Sequence, residues 1–473
     1  MQVNSVGADP VAGWGWAVAF TLAGVGVFGV LAVLTVPAQG LDGSLSRDAV
    51  LALVVFGAAI LGWTRAQVDD TFVALLAAAV LAVLGVLESE RLFAALGEDQ
   101  IWLLVAAFML AAGINRTGLP ARLALGLAGR ARSPRSLCHL LTLGLVGTAL
   151  LIPSTSGRAA MAVPLHRGLA SALPDRLVRT VGLLVPVVIL LSAIATLTGA
   201  GAHLITSQVL AATTGEGIPF GWWLCWGLPF ALVSSHLAAE LVLWTGGANG
   251  RTPLRVDVAE LRAQLDVPER LRPAEVRAGA LLGGVVLLWS TESWHGLPPA
   301  LIALGAALLV TSPRFGTVPM KAAVGEIPWS LLLFMAATGA LGTALTDSGA
   351  AGWIAGHALV GDRPVTLLAA AVALSTALHL LIASRSARSA VLIPLLVPAA
   401  LAVGANPMAV AFASTAAAGF CHTLPSSAKP LAMFAEHYEP PELRRLAVVL
   451  GPLTAALVLL FSLLIWPLLG LSV

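Results

Sequence analysis

The chain is a succession of apolar runs, most of them long enough to cross the hydrocarbon core of a bilayer as a helix. Hydrophobic residues make up 58% of its 473 residues and charged residues 11%, and the mean hydropathy is +0.92. Such a composition excludes a soluble globule of this length. The 47 glycines and 28 prolines are compatible with membrane helices that pack closely or break around a cavity. The sequence therefore predicts an all-α polytopic membrane protein.

We predict about eleven transmembrane helices plus two re-entrant helical hairpins that enter the membrane and return. The helices cover residues 12–36, 48–65, 69–88, 100–116, 177–212, 219–246, 277–296, 299–312, 327–347, 404–437 and 446–471. The hairpins cover residues 136–172 and 365–402, where serine and arginine interrupt apolar sequence. The first run lacks the features of a cleaved signal peptide, and we expect it to be retained as a helix.

The basic residues predict the orientation in the membrane. With the N-terminus in the cytoplasm, 19 of the 26 Lys and Arg residues fall in inner loops, 3 in outer loops and 4 within membrane segments. This bias follows the positive-inside rule and favours a cytoplasmic N-terminus. The strong excess of arginine over lysine is typical of a GC-rich bacterial genome, so we expect a multi-pass protein of a bacterial inner membrane.

Two segments separated by 230 residues repeat one another. Residues 153–160 (PSTSGRAA), called the first tip, match residues 383–390 (ASRSARSA), called the second tip, in two serines, an arginine and an alanine. Each tip lies in one of the hairpins, which open to opposite sides of the membrane. The duplication predicts two inverted repeats, an arrangement associated with midplane binding sites.

The repeats define the domain organisation. An extra N-terminal transmembrane helix in residues 1–45 precedes the first repeat at 46–247, and the second repeat covers 277–473. Between them lies a hydrophilic cytoplasmic linker at 248–276, in which residues 256–262 have the pattern of a short surface helix.

Four cations fall within apolar segments, namely Arg158, Arg385, Arg388 and Lys429. A basic residue at the bilayer centre costs about 2.5–3.5 kcal/mol, so four without partners would cost on the order of 10 kcal/mol. The tips and their apolar arms contain no Asp or Glu. A purely structural role would need remote acids, of which the conceivable ones are Glu240, Asp347 and Glu436. The alternative that we favour is a water-filled anion site.

Hydroxyl groups in the tips complete such a site. The candidate donors beside the arginines are Ser154, Thr155, Ser156, Ser384 and Ser386. A helix that starts at a chain break also presents free N–H groups and positive dipole character. Guanidinium forks match carboxylate or sulfate oxygens in bidentate geometry. For any single serine, the plain alternative is a small residue that permits a tight turn.

Two broken helices are expected to form the second wall. Residues 196–203 (TLTGAGAH), called the first break, interrupt the run 177–212, and residues 423–430 (TLPSSAKP), called the second break, interrupt the run 404–437. The candidates there, besides the lysine, are Thr198, His203, Ser426 and Ser427. The histidine is a possible substrate donor or proton carrier, although a lone histidine in a membrane helix is as often a packing residue.

The sequence lacks the patterns that are typical of catalytic and metal-binding sites. The sequence has no Ser-His-Asp set, HExxH helix, phosphate loop or CxxC pair, and its three cysteines lack metal-type spacing. We expect no enzymatic activity, no cofactor, no metal site and no nucleic-acid partner.

The ordered motifs resemble the divalent anion/sodium symporter family (solute carrier 13 type), within the ion transporter superfamily. The resemblance rests on residues 102–104 through 117–122, the parallel stretch 327–334 through 348–349, both tips and both breaks. It implies a lipid-embedded carrier of small anions that works by alternating access, as a hairpin-bearing domain moves against a scaffold in an elevator mechanism. Such carriers are commonly homodimers.

The departures from the family pattern predict the mode of coupling. Family tips typically have Ser-Asn-Thr, whereas residues 154–156 are STS and residues 384–386 are SRS. The matching position of the second break carries a lysine, and a fixed cation at a sodium position repels sodium and supplies charge to an anion. We therefore expect a sodium-independent carrier of a small multivalent anion, a dicarboxylate or sulfate-like oxyanion, working by exchange or proton coupling. The alternative is a cation/proton antiporter of the same superfamily, which needs an acid at the midplane.

Overall fold

A computed structural model describes residues 45–64, 68–247, 253–254, 256–358 and 363–473. The predicted extra helix at 12–36 lies outside these residues. The described chain is built of helices, which confirms the all-α class. The helices up to the linker are α1 (Arg47–Trp63), α2 (Asp70–Val83), α3 (Ser89–Ala94), α4 (Asp99–Thr117), α5 (Leu119–Ala128), α6 (Pro134–Leu151), α7 (Thr155–Ala172), α8 (Asp175–Ser192), α9 (Gly201–Thr214) and α10 (Phe220–Thr245).

The linker contains the expected short helix, α11 (Val258–Gln264), whose Leu261 is buried. The helices after it are α12 (Pro273–Ser290), α13 (Glu292–His295), α14 (Pro299–Thr311), α15 (Met320–Gly325), α16 (Trp329–Asp347), α17 (Ala350–Ala358), α18 (Pro364–Ala377), α19 (Arg385–Ala402), α20 (Pro407–Ala417), α21 (Lys429–Met433) and α22 (Pro440–Leu460).

Six helical segments of the described chain are long and apolar enough to cross a membrane unaided: Ser89–Thr117, Asp175–Ala195, Phe220–Thr245, Trp329–Asp347, Arg385–Ala402 and Pro440–Ile465. Shorter apolar helices include α2 and α14. Each predicted span in the described chain contains a helix. The number of crossings and the re-entrant course of the hairpins stay predictions.

The helices break where serine, glycine and proline interrupt the apolar sequence. Three residues, 152–154, separate α6 from α7, and residues 378–384 separate α18 from α19. Between α8 and α9 the chain forms two short 3₁₀ turns, and another 3₁₀ turn, Pro425–Ser427, precedes α21. Gly199 is required in the first break, because a Cβ there would collide with the carbonyl oxygen of Ala193. Short-range sequence thus sets where the helices stop.

The two repeats interlock. Helix α9, which follows the first break, packs along α19, which follows the second tip. Helix α21, which follows the second break, packs against α7, which follows the first tip. A second group pairs α4 with α14 and α2 with α16, and α16 also packs against α9. Because each break packs on the hairpin of the other repeat, both tips and both breaks meet in one region.

Two ion pairs each join residues that the distribution of basic residues predicts to lie on the same side of the membrane. Arg91 pairs with Asp347 at 2.6 Å, and both residues are predicted to lie outside. Arg122 pairs with Glu275 at 2.8 Å, and both residues are predicted to lie inside. Each ion pair therefore links helices that are distant in sequence.

Candidate functional site

A cavity of about 460 Å³ lies where the tips and breaks meet. It brings together nine of the thirteen predicted site residues: Ser154, Thr155, Ser156, Ser384, Arg385, Ser386, Ser426, Ser427 and Lys429. Other lining residues are Asp70, Pro153, Leu190, Ala200, Gly201, Pro328, Ser330, Leu331, Ala383, Ala428 and Pro430. Hydroxyl and charged groups therefore lie among apolar groups in its lining, and both tips and both breaks contribute to its wall.

Both tips place a helix N-terminus at the cavity. The Oγ of Ser154 accepts a hydrogen bond from the backbone N–H of Gly157 at 3.2 Å and caps α7. The Oγ of Ser384 accepts from the N–H of Ala387 at 3.2 Å and caps α19 in the same way. A helix N-terminus carries partial positive charge and favours anions. The duplicated serines therefore aim two helix dipoles at one space.

Two fixed cations line the cavity. The half-buried side chain of Arg385 donates from Nη1 to the carbonyl oxygen of Leu190 at 3.1 Å, which holds the guanidinium across the gap between the repeats. Lys429 is the first residue of α21 and is exposed to the cavity. One guanidinium and one ammonium thus face the same space from the second tip and the second break.

Arg158 lies away from this cavity, although it belongs to the first tip. Its fully buried guanidinium donates to Thr148 Oγ1 at 2.8 Å, to Ser192 Oγ at 2.6 Å and to the carbonyl oxygens of Ile189 and Leu145. These partners lie in α6 and α8. In this conformation the side chain ties the start of α7 to its two neighbours and does not reach the cavity.

Arg388 is also buried away from the cavity lining. Its Nη1 donates to the carbonyl oxygen of Phe420 at 3.3 Å. Its Nε and Nη2 have no hydrogen-bond partner among the described residues. Arg158 and Arg388, which are related by the repeat, are therefore both buried but differ in the number of their hydrogen bonds.

Two residues of the first break are likewise buried outside the lining, namely Thr198 and His203. The Nδ1 of His203 donates to the carbonyl oxygen of Thr196 at 3.0 Å, and its ring stacks on Trp223 with centroids 5.1 Å apart. Its observed contacts are those of a packing residue. The first break contributes Ala200 and Gly201 to the cavity instead.

Asp70, the first residue of α2, is a lining residue that the sequence analysis missed. Its carboxylate shares the cavity lining with Ser384 and interacts electrostatically with Lys429. Asp69 and Asp70 stand at the start of α2, where acidic residues are expected because they cap the helix and complement its dipole. Nothing in the local pattern connects this acid to a tip more than 300 residues away.

The remote acids considered as partners for the buried arginines have other roles. Glu240 accepts from Arg135 and His139, Asp347 from Arg91, and Glu436 is exposed. The observed partners of Arg158 are hydroxyls and backbone carbonyls, and that of Arg388 is a carbonyl.

A larger cavity of about 670 Å³ lies between α5, α6, α7 and α12. Its lining is almost wholly apolar, with residues such as Leu127, Leu141 and Leu165. Its few polar lining residues, among them Arg122 and Arg130, would leave most of a multivalent anion against apolar groups, where the lost hydration is not replaced. Within the described ranges, no group of three or more His, Cys, Asp or Glu side chains could hold a metal ion.

Residues 19–472 match the model of the sodium:sulfate symporter transmembrane region, and the chain belongs to this family. It is a multi-pass membrane protein of a transporter family, so the resemblance seen in the sequence is confirmed.

Similar proteins include the L-tartrate/succinate antiporter of Escherichia coli, 24% identical over 431 residues, covering 82% of this chain and 85% of the relative. The sodium-dependent dicarboxylate transporter SdcS of Staphylococcus saprophyticus is 22% identical over 404 residues, covering 78% of this chain and 77% of the relative. Among solved structures, the YdaH transporter of Alcanivorax borkumensis aligns with a TM-score of 0.53 at 18% identity and covers 98% of each chain, which indicates a shared fold.

Proposed function

We propose that this protein is a secondary transporter of a small multivalent anion, a dicarboxylate or sulfate-like oxyanion. The observation that carries the proposal is the cavity in which Arg385 and Lys429 lie among hydroxyls of both tips. Charged donors bind carboxylate and sulfate oxygens about twice as strongly as neutral donors do. The two helix N-termini add positive potential at the same place.

The dimensions of the cavity favour a small solute. A space of about 460 Å³ falls in the range of small-molecule pockets. Hydroxyls reach it from both tips and from the second break, so an elongated anion with a charged group at each end would find donors on opposite walls. The relatives named as L-tartrate/succinate and dicarboxylate transporters support a dicarboxylate before sulfate.

We propose sodium-independent exchange or proton coupling as the mode of transport. Lys429 stands in the second break, and Arg385 stands in the tip position where the family typically has asparagine. At close range in a partly desolvated cavity, each cation repels a sodium ion by several kcal/mol at an effective dielectric constant near 20. The same charges attract the substrate, which removes the need for a bound cation.

A cation/proton antiporter is the second candidate, and Asp70 is the observation that favours it. This carboxylate lines the cavity, where such an exchanger needs an acid. Arg385 and Lys429 line the same cavity, however, so two positive charges stand against the one negative charge of Asp70. Their combined field favours an anion over a cation in the same space.

Flux into proteoliposomes tests both candidates. Liposomes loaded with succinate, L-tartrate or sulfate are placed in labelled succinate, with either sodium or choline as the external cation. We expect counterflow in both media, suppressed by excess unlabelled dicarboxylate and absent from protein-free liposomes. Strict dependence on sodium would reject sodium independence. Sodium or proton movement without any transported anion would instead establish the antiporter.

The proposed cycle alternates access to the cavity by movement of the hairpin-bearing helices against the group of α2, α4, α14 and α16. A homodimer in the bacterial inner membrane with a cytoplasmic N-terminus is the setting that we propose. Crosslinking in native membranes and accessibility of single cysteines from each side are the measurements that test these points.

A further inference from the structure

The cavity contains one carboxylate, and it comes from a different part of the fold than the cations. Asp70 opens α2, which packs along α16, whereas Arg385 and Lys429 belong to the second tip and the second break. The acid therefore reaches the cavity from a different helix than the cations do. Among the lining residues of the cavity, these three are the ionisable ones.

We propose that Asp70 is the internal counter-ion of the anion site and takes up one proton when a divalent anion binds, which makes anion binding dependent on pH. This inference rests on the proposed function and adds a proton to its binding step.

The charge balance of the cavity supports the proposal. Arg385 and Lys429 supply two positive charges, and an ionised Asp70 leaves a net charge of +1. A bound dianion would change this to −1 in a partly desolvated space, with two negative groups close together. A proton on Asp70 removes that repulsion and brings the occupied site to neutrality.

The position of Asp70 beside the second tip leads to the same conclusion. The Oγ of Ser384 accepts a hydrogen bond as the cap of α19, so its hydroxyl proton is what it can offer to the cavity that it shares with Asp70. An ionised Asp70 attracts that proton, because the two side chains interact. Protonation of Asp70 weakens the attraction and leaves the Ser384 hydroxyl to donate to an anion.

Neighbouring charges do not substitute for Asp70. Asp69 lies next to it on the same turn, but its Oδ1 accepts hydrogen bonds from the backbone N–H groups of Thr71 and Phe72 as the cap of α2. It is not a lining residue of the cavity. The pair therefore offers a matched control, since asparagine also caps helices well.

Isothermal titration calorimetry on the purified full-length chain tests the proposal. L-tartrate, ionised at both carboxyls near neutral pH, is titrated in two buffers that differ in ionisation enthalpy, and the difference in heat gives the number of protons taken up. We expect about one proton per bound dianion for the wild type and for Asp69→Asn, and about none for Asp70→Asn. As pH rises, the affinity of the wild type for L-tartrate should fall by up to tenfold per pH unit, whereas the affinity of Asp70→Asn should not change.

The outcomes separate the inference from the function on which it rests. Binding by the wild type without proton uptake, or unchanged uptake by Asp70→Asn, overturns the role of Asp70 and leaves the anion carrier intact. No binding of L-tartrate, succinate or sulfate by the folded wild type overturns both. The wild-type measurement needs no variant, so a poorly folding Asp70→Asn protein cannot obscure the result.

Discussion

Arg158 and Arg388 occupy the same offset in the two tips, yet the guanidinium of Arg158 makes four hydrogen bonds and that of Arg388 makes one. Both side chains are fully buried. The repeat therefore places a charge at equivalent points of the fold, while the surroundings satisfy only the first. This difference leads directly to a measurable asymmetry in stability.

Replacing the two arginines by methionine should have unequal effects on stability. Arg158→Met removes four hydrogen bonds made by a charged group and should cost about 3 kcal/mol. Arg388→Met removes a charge with little compensation, so the free energy of unfolding should change by less than about 1 kcal/mol, in either direction. Unfolding midpoints of the two variants in the same detergent give the comparison. Equal losses would contradict the assignment of Arg158 as a structural tie.

The two lysines of the chain provide a matched test of the cavity. Lys429→Gln removes a cation from the lining and should weaken dianion binding about 10- to 100-fold, the value of one charge-assisted hydrogen bond. Lys321 is exposed in α15 outside the cavity, so Lys321→Gln should bind like the wild type. Competition against labelled succinate measures both affinities. Similar affinities for the two variants would remove Lys429 from the site.

The serines of the second tip should separate binding from capping. Ser386→Ala removes a hydroxyl from the cavity and should weaken anion binding by about fivefold with little effect on stability. Ser384→Ala should weaken binding and also destabilise the protein by about 1 kcal/mol, because the N-cap of α19 is lost. Affinity and unfolding midpoint are measured on the same preparations. A stability loss confined to Ser386→Ala would reverse the two roles.

Stability at acidic pH should depend on Glu275, which lies in the first turn of α12 before the predicted span. The hydrogen bond from Arg122 is the main cause that holds the pKa of Glu275 below its ordinary value of 4.5. Its contribution is therefore complete at neutral pH and is lost as pH falls through the lowered pKa. Glu275→Gln should unfold more easily than the wild type at pH 7, by about 2 kcal/mol, and the difference should shrink below about pH 4.5.

An exposed ion pair serves as the control for that experiment. Arg91 and Asp347 are each about half exposed, so Asp347→Asn should change stability by less than about 1 kcal/mol at any pH. Unfolding midpoints measured from acid to neutral pH give the two profiles. Parallel profiles for the wild type and Glu275→Gln would show that the buried pair is not the source of the acid sensitivity.

The sequence by itself determined the features that depend on neighbouring residues. Apolar runs determined the helices, capping serines determined where α7 and α19 begin, and the tips and breaks predicted thirteen site residues, of which nine line one cavity. These features are local or follow from internal symmetry, because capping and helix breaking act over a few residues.

Only the tertiary structure decided which polar groups face the cavity. Arg158, Arg388 and His203 have the residue types of an anion site but are buried away from the cavity, while Asp70 reaches the cavity from α2. The direction of a helical side chain relative to a cavity depends on which helices pack around it. That packing joins segments hundreds of residues apart, and local sequence patterns do not specify it.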